Sequence, residues 1–213
     1  MVPLADYLNR EENQVNTLGA ILAAGEDKNW KVRLAFAKKF AELTKSFGPE
    51  ITDSNLLQKF SSFLSDNESE VKDAAMKSLA EFLPNLKPEK ITSFILPTLQ
   101  SLYEDGSAHF KAELAIGLCK MAKYVGKETT MSKIVPILLD LAKDDDADVR
   151  LNCSKGLIEL ADEVGTDLLS DTLVNSLSTM TKDCQWRVRE AIFQLVGDLG
   201  LKFGKDVFNT KLQ

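Results

Sequence analysis

The stretch "DKNWKVR", residues 27–33, returns almost unchanged as "DCQWRVR" at residues 183–189. Three intermediate copies lie between them: "DNESEVK" from Asp66, "DGSAHFK" from Asp105 and "DDDADVR" from Asp144. The aspartates therefore recur every 39 residues. Five residues after each stands an apolar side chain (Val32, Val71, Phe110, Val149, Val188), and next to it a cation (Arg33, Lys72, Lys111, Arg150, Arg189). A fixed period of this length means that one supersecondary unit recurs along the chain.

The residues around each copy define that unit. After the motif, apolar positions run at helical spacing: Val32, Phe36, Phe40 and Leu43 in the first copy, Val188, Ile192, Val196 and Leu199 in the last. Each set is a stripe on one helix face. Gly48, Gly126, Gly165 and Gly204 recur in register at the end of this helix, where a left-handed residue would close it without a Cβ clash. In the second copy Lys87 takes that position, and "PNLKPEK" stops the helix with Pro84 and Pro88. Ahead of each motif a second helical segment aligns Phe60, Leu99, Leu138 and Leu177, with Phe63, Leu102, Leu141 and Met180 three residues later. Each unit is thus helix A, a turn carrying the aspartate, and helix B. Pro97 and Pro136 fall inside helix A, which predicts bent A helices in those two copies.

A helix pair cannot cover both of its apolar faces alone, so neighbours must stack. The predicted fold is all-α, a HEAT-repeat α-solenoid: a superhelical stack of antiparallel helix pairs with a 39-residue period. A tetratricopeptide array is excluded by its 34-residue repeat. Residues 1–213 read as a single solenoid segment with repeats at about 10–48, 49–87, 88–126, 127–165 and 166–204. "ADYLN" at 5–9 aligns with "AKYVG" at 122–126 and "ADEVG" at 161–165, so residues 1–9 read as the end of a preceding repeat. "KDVFNTKLQ", 205–213, reads as the start of a further one. The expectation is a window of a longer protein, with apolar surface exposed at one or both ends.

Composition narrows the function. The chain is 44% hydrophobic and 27% charged, ordinary for a soluble domain. Its net charge of −6 argues against a nucleic-acid partner, which needs a basic stripe. There is no apolar run of the roughly 18–20 residues that span a bilayer, and "MVPLADYLNREEN" lacks the features of a signal peptide, so no membrane association is expected. Cys119, Cys153 and Cys184 are odd in number and form no C-x-x-C pair, which suits free thiols in a reducing compartment. A cytoplasmic location is expected, with the nucleus as a second compartment.

The search for chemistry excludes more than it finds. His109 is the sole histidine, too few for a His-based metal centre or a paired imidazole nucleophile site. "DDDADVRLNCSK" opens like a calcium loop, but Val149 stands where glycine is needed and Lys155 where glutamate is needed. "YVGKET" lacks the first glycine and the Ser/Thr of a phosphate-binding loop. No catalytic residue, metal ligand, cofactor or small-molecule substrate is expected, and the chain reads as a non-enzyme. The recurring aspartate and cation predict instead a charge ladder, each aspartate meeting a neighbour's cation at a contribution of about 0 to 1 kcal/mol per exposed pair.

The tryptophans carry the strongest functional signal. The turn position of Trp30 and Trp186 is Ser69, Ala108 and Ala147 in the other copies, so the fold does not demand an indole there. A large aromatic on a turn, flanked by Lys31 or Arg187, fits an interface anchor. The competing reading is that each indole folds back onto its own helix A.

Taken at their mutual distances, "EDKNWKVR", "KSFGPEIT", "DVRLN" and "QWRVREAI" resemble the scaffolding A subunit of protein phosphatase 2A over essentially the whole chain. The resemblance implies a scaffold that holds a Ser/Thr phosphatase catalytic subunit beside a regulatory B-type subunit on its intra-repeat turns. Carried over by motif, it places Asn29, Trp30 and Lys31 on the regulatory side and Trp186 and Arg187 among the first catalytic-subunit contacts. Most catalytic-subunit repeats of that family have no counterpart here, so weak binding of that partner, or none, is implied. Two rivals stand beside this reading: a TOG-like tubulin-binding array, which also uses turn residues, and a HEAT-fold enzyme, which would need clustered acids and histidines.

Overall fold

The computed structural model describes residues 17–104, 106–165, 171–204, 206, 209 and 210. Among them every regular element is helical. The A helices are α1 (Leu18–Ala24), α3 (Leu57–Leu64), α5 (Leu96–Tyr103), α7 (Val135–Leu141) and α9 (Asp171–Met180). The B helices are α2 (Trp30–Phe47), α4 (Ser69–Phe82), α6 (Ala108–Thr129, broken at Gly126, where its B-helix part ends), α8 (Ala147–Val164) and α10 (Trp186–Phe203). Each described aspartate-bearing turn thus sits between an A and a B helix, as the sequence predicts. The reading of residues 1–9 as the end of a preceding helix lies outside the described residues, as does most of the reading of 205–213.

The chain forms two compact units, Met1–Asp105 and Gly106–Gln213. In the first, α2 packs on α4; in the second, α6 packs on α8 and α8 on α10. Helix B against helix B is the stacking contact of a solenoid, and α8 makes it on two faces, with α6 and with α10. The two cores differ in chemistry. The first unit is built on Phe36, Phe40, Phe60, Phe63 and Phe82, all buried, with the Phe60 and Phe82 rings stacked at 4.2 Å. The second uses aliphatic and small residues such as Leu118, Leu138, Cys153 and Leu157. There Cys119 of α6 lies against Gly156 of α8, so closely that a Cβ on Gly156 would come within 2.5 Å of the Cys119 sulfur. Burial pushes the Cys153 thiol up to about 12, and its Sγ lies 3.1 Å from the Leu138 carbonyl. It is a core residue, not a nucleophile.

Glycines do close the B helices, but not in the left-handed conformation that the sequence suggests. Gly48, Gly126, Gly165 and Gly204 have φ of 77°, 79°, 71° and 86°. Their ψ values lie near ±150–170°, not in the left-handed helical well, so the backbone is in a region open essentially to glycine. Lys87, in the deviant second copy, keeps an ordinary φ of −72°, and its N–H faces the Asp53 carboxylate at 3.5 Å.

Two expectations need correction. Helix A is indeed interrupted ahead of Pro97 and Pro136, by π-helical turns at Ile91–Ile95 and Thr130–Ile134. An equivalent turn at Thr52–Leu56 precedes α3, where Gln58 holds the proline position. The interruption therefore belongs to the repeat, and proline merely occupies a site where the helical hydrogen-bond ladder is already broken. Secondly, the stripe position before each cation is buried at Val71, Phe110, Val149 and Val188, but Val32 is 37% exposed. Val71, Val149 and Val188 lie on helices that have a preceding B helix packed on them within the same unit, and the described residues provide none for α2. Leu102 and Val196 are likewise half-buried, whereas their counterparts Phe63, Leu141 and Leu157 are buried.

Candidate protein-interaction ridge

Each described aspartate turn is built the same way. The carboxylate folds back to accept the N–H two residues on: Asp27 from Asn29 at 2.7 Å, Asp66 from Glu68 at 3.0 Å, Asp144 from Asp146 at 2.9 Å and Asp183 from Gln185 at 2.8 Å. This Asx geometry stops helix A and starts helix B within a few residues. From the first turn of helix B the arginine reaches back, its Nη1 donating to the aspartate's own carbonyl: Arg33 to Asp27 at 2.9 Å, Arg150 to Asp144 at 2.7 Å, Arg189 to Asp183 at 2.6 Å.

The rest of the guanidinium reaches the next turn. Arg33 holds Asp66 by Nε–Oδ2 at 2.7 Å and Nη2–Oδ1 at 2.8 Å, and Arg150 holds Asp183 by the same two bonds at 2.6 and 2.9 Å. Lys111 makes a single 3.0 Å bond to Asp144. The charge ladder is therefore present in both units; the Lys72–Asp105 rung lies outside the described residues. The Arg33 guanidinium holds the Asp66 carboxyl below its ordinary range, and Arg150 does the same for Asp183. Burial acts to raise Asp144, but the Asp146 N–H and the Lys111 ammonium outweigh it and the net shift is downward. The expectation of exposed, weak pairs is corrected here. The Arg150 and Asp183 side chains are 11% and 8% exposed, so removing one partner would strand a largely buried charge.

These clamps present the side chains between them. Asn29, Trp30 and Lys31 lie together at the start of α2, and Trp186 and Arg187 at the start of α10, in the other compact unit. Asn29 caps α2, its Oδ1 accepting the Lys31 N–H at 3.0 Å, so part of its role is structural. The two tryptophans are not equivalent. Trp30 is half-buried, with the Lys31 ammonium 5.9 Å from its ring centroid. Trp186 is 59% exposed, and the Arg187 guanidinium lies 5.6 Å from its ring centroid. A solvent-exposed indole held by a cation over its face has most of its area free for a partner.

Sequence reading missed one pair on this ridge. Lys59 is buried along its stem against Gly25, where a Cβ would come within 2.6 Å of its Cδ, and its ammonium donates to Glu26 at 2.6 Å. Glu26 and Lys59 stand 33 residues apart, as do Arg33 and Asp66, so the ladder offset with the charges reversed was the available signal. Together with Lys28, Ser62, Ser65 and Asn67 they line a polar hollow beside the first turn. The aspartates of the calcium-like run have structural duties instead: Asp144 takes Lys111, and Asp146 caps α8 through the Asp148 and Val149 N–H groups. Among the described residues no group of acids, histidines and cysteines is arranged to hold a metal ion, and no helix is long and apolar enough to cross a membrane.

Comparison with known families agrees with this geometry. Residues 49–126 match the model of the PPP2R1A-like HEAT repeat, and residues 134–164 match that of the HEAT repeat. The chain is a HEAT-repeat protein. Curated proteins give no sequence match. Among solved structures, the HEAT-repeat chain is similar to Cex1p at 15% identity and a TM-score of 0.77, over 95% of its own length and 40% of that protein's. It is also similar to a chain of the Kap95p–RanGDP complex at 16% identity and a TM-score of 0.66, over 94% of its length and 26% of that chain's. A TOG structure described for its tubulin-binding specificity gives 15% identity and a TM-score of 0.58, over all of this chain and 86% of that one. At these identities the likeness is one of fold. HEAT repeats serve as scaffolds for protein–protein contact, and that coarse role is the one this architecture supports.

Proposed function

We propose that this HEAT-repeat chain is a non-enzymatic scaffold in the cytoplasm whose intra-repeat turns hold partner proteins. Its partners would be the catalytic subunit of a Ser/Thr phosphatase of the 2A type and a regulatory B-type subunit. The observation that carries the reading is Trp186, more than half exposed on a turn whose other copies manage with serine or alanine, and braced by Arg187. The match of residues 49–126 to a PPP2R1A-like repeat supports the choice of phosphatase subunits as partners. Mechanistically the scaffold performs no chemistry. It raises the effective concentration of a substrate, recruited by one partner, at the catalyst held by the other.

The test is a capture experiment from cell lysate, comparing the wild-type chain with a Trp30→Ala, Trp186→Ala double variant and identifying by mass spectrometry the proteins lost. Loss of phosphatase catalytic or regulatory subunits is the expected result. Loss of tubulin in their place would move the assignment to the TOG class, and an unchanged profile would overturn the role given to the indoles.

A further inference from the structure

The polar hollow between the first two turns holds a buried cation whose carboxylate partner stands in solvent. Lys59 of α3 has its stem pressed against Gly25, and its side chain is only 10% exposed. Glu26, which accepts from its ammonium at 2.6 Å, is the reverse, with a side chain 74% exposed. Of the two, the carboxylate is the replaceable member. It can turn back into water at little cost, whereas an ammonium fixed by its packed stem must keep an anion beside it.

The hollow holds more donors than Glu26 uses. An ammonium has three N–H groups, and Glu26 takes one of those on Lys59. The Lys28 ammonium, the Ser65 hydroxyl and the Asn67 amide line the same space and make no hydrogen bond among the described residues. Arg33, by contrast, is fully engaged, with Asp66 and with the carbonyls of Asp27 and Lys28. Unused donors around one space suit an acceptor-only group, and a carboxylate accepts up to about four hydrogen bonds. It also replaces Glu26 charge for charge, which a doubly charged phosphate would not. Both walls of the hollow, residues 25–28 and 59–67, are described and belong to the first unit. Neither the Asp27 carboxylate nor any helix face enters the contact.

We propose that this hollow receives an Asp or Glu side chain of the protein docked on the ridge, which takes Lys59 from Glu26 and adds bonds to Lys28, Ser65 and Asn67. Lys28 and Trp30 are two residues apart on the first turn, so one partner segment reaches both. Its apolar part covers the indole, and its acid enters the hollow. Glu26 is then a built-in competitor. In the free chain it neutralises Lys59, and a partner without an acid at this place leaves the pair as it is and gains nothing from it. The inference rests on the scaffold reading for its partner and adds the chemistry that the partner presents.

Calorimetric titration with a purified regulatory B-type subunit of phosphatase 2A tests it on the wild-type chain and three variants, each also melted to show that it is folded. Lys59→Met keeps a stem on Gly25 and removes the cation, and binding is expected to weaken about tenfold or more. Glu26→Gln leaves Lys59 an acceptor but weakens the competitor, and binding is expected to tighten roughly threefold. Opposite signs are the signature of the exchange, and Glu26→Gln carries the test alone if Lys59→Met fails to fold. Unchanged affinity in both, with a loss in Trp30→Ala, would overturn the hollow as a binding site and leave the scaffold reading standing. Weaker binding by Glu26→Gln would overturn it too, since Glu26 would then itself be the contact. A wild-type chain that binds no regulatory subunit would remove the scaffold reading, and this inference with it.

Discussion

Arg150 and Asp183, 33 residues apart, are joined by two parallel hydrogen bonds of 2.6 and 2.9 Å, while the same guanidinium caps the carbonyls of Asp144 and Asp145. A single side chain therefore closes its own turn and fixes the next one in register. Because both groups are nearly buried, Arg150→Met should cost about 3 kcal/mol, chiefly from the stranded Asp183 carboxylate. Arg150→Lys should recover part of this, since an ammonium cannot reproduce the fork. The converse change is also informative. Lys111→Arg adds a second bond to Asp144 and should raise stability by up to about 1 kcal/mol in urea titrations.

Val149 and Val32 occupy one repeat position and should answer differently to one substitution. Val149 is fully buried, so Val149→Asp places an unpaired charge in the core and should cost about 4 kcal/mol or more. Val32 is 37% exposed, and Val32→Asp should cost no more than about 1 kcal/mol. Thermal melts of the two variants check this, and equal losses would remove the assignment of the α2 face as open.

The ladder sets a pH dependence. Asp66 and Asp183 have their carboxyls depressed in the folded chain by Arg33 and Arg150, against about 3.9 for a free aspartate. As pH falls, the unfolded chain takes up these protons first, so the stabilisation is full above the ordinary carboxylate range and is lost as pH falls through the folded values. Stability from denaturant titrations should thus be level between about pH 7 and 5 and fall below about pH 4. An Asp66→Asn, Asp183→Asn variant should be weaker at neutral pH and show a shallower acid decline.

Much of this was legible in the sequence because repetition makes each position its own control. The 39-residue spacing of Asp27, Asp66, Asp105, Asp144 and Asp183 gave the turns, the recurring cation gave the ladder, and the aligned glycines gave the helix ends. What escaped depends on neighbours rather than on pattern. Val32 looks identical to Val71 until the preceding helix is sought, and the π-helical turn at Thr52–Leu56 has no proline to announce it. The ridge was legible to a similar depth. Trp30 and Trp186 read alike as letters, but the first is half-buried and the second stands out, a difference set by local packing.

The central claim, that the turns recruit partners and the helices carry the fold, meets its most direct test in Trp186→Ala, measured for melting temperature and for affinity to a purified phosphatase 2A catalytic subunit. The account predicts a melting temperature within about 2 °C of wild type. It also predicts a loss of about 2 kcal/mol in binding, roughly 30-fold in Kd. A clear fall in melting temperature with unchanged affinity would contradict it, since the indole would then belong to the fold and not to an interface.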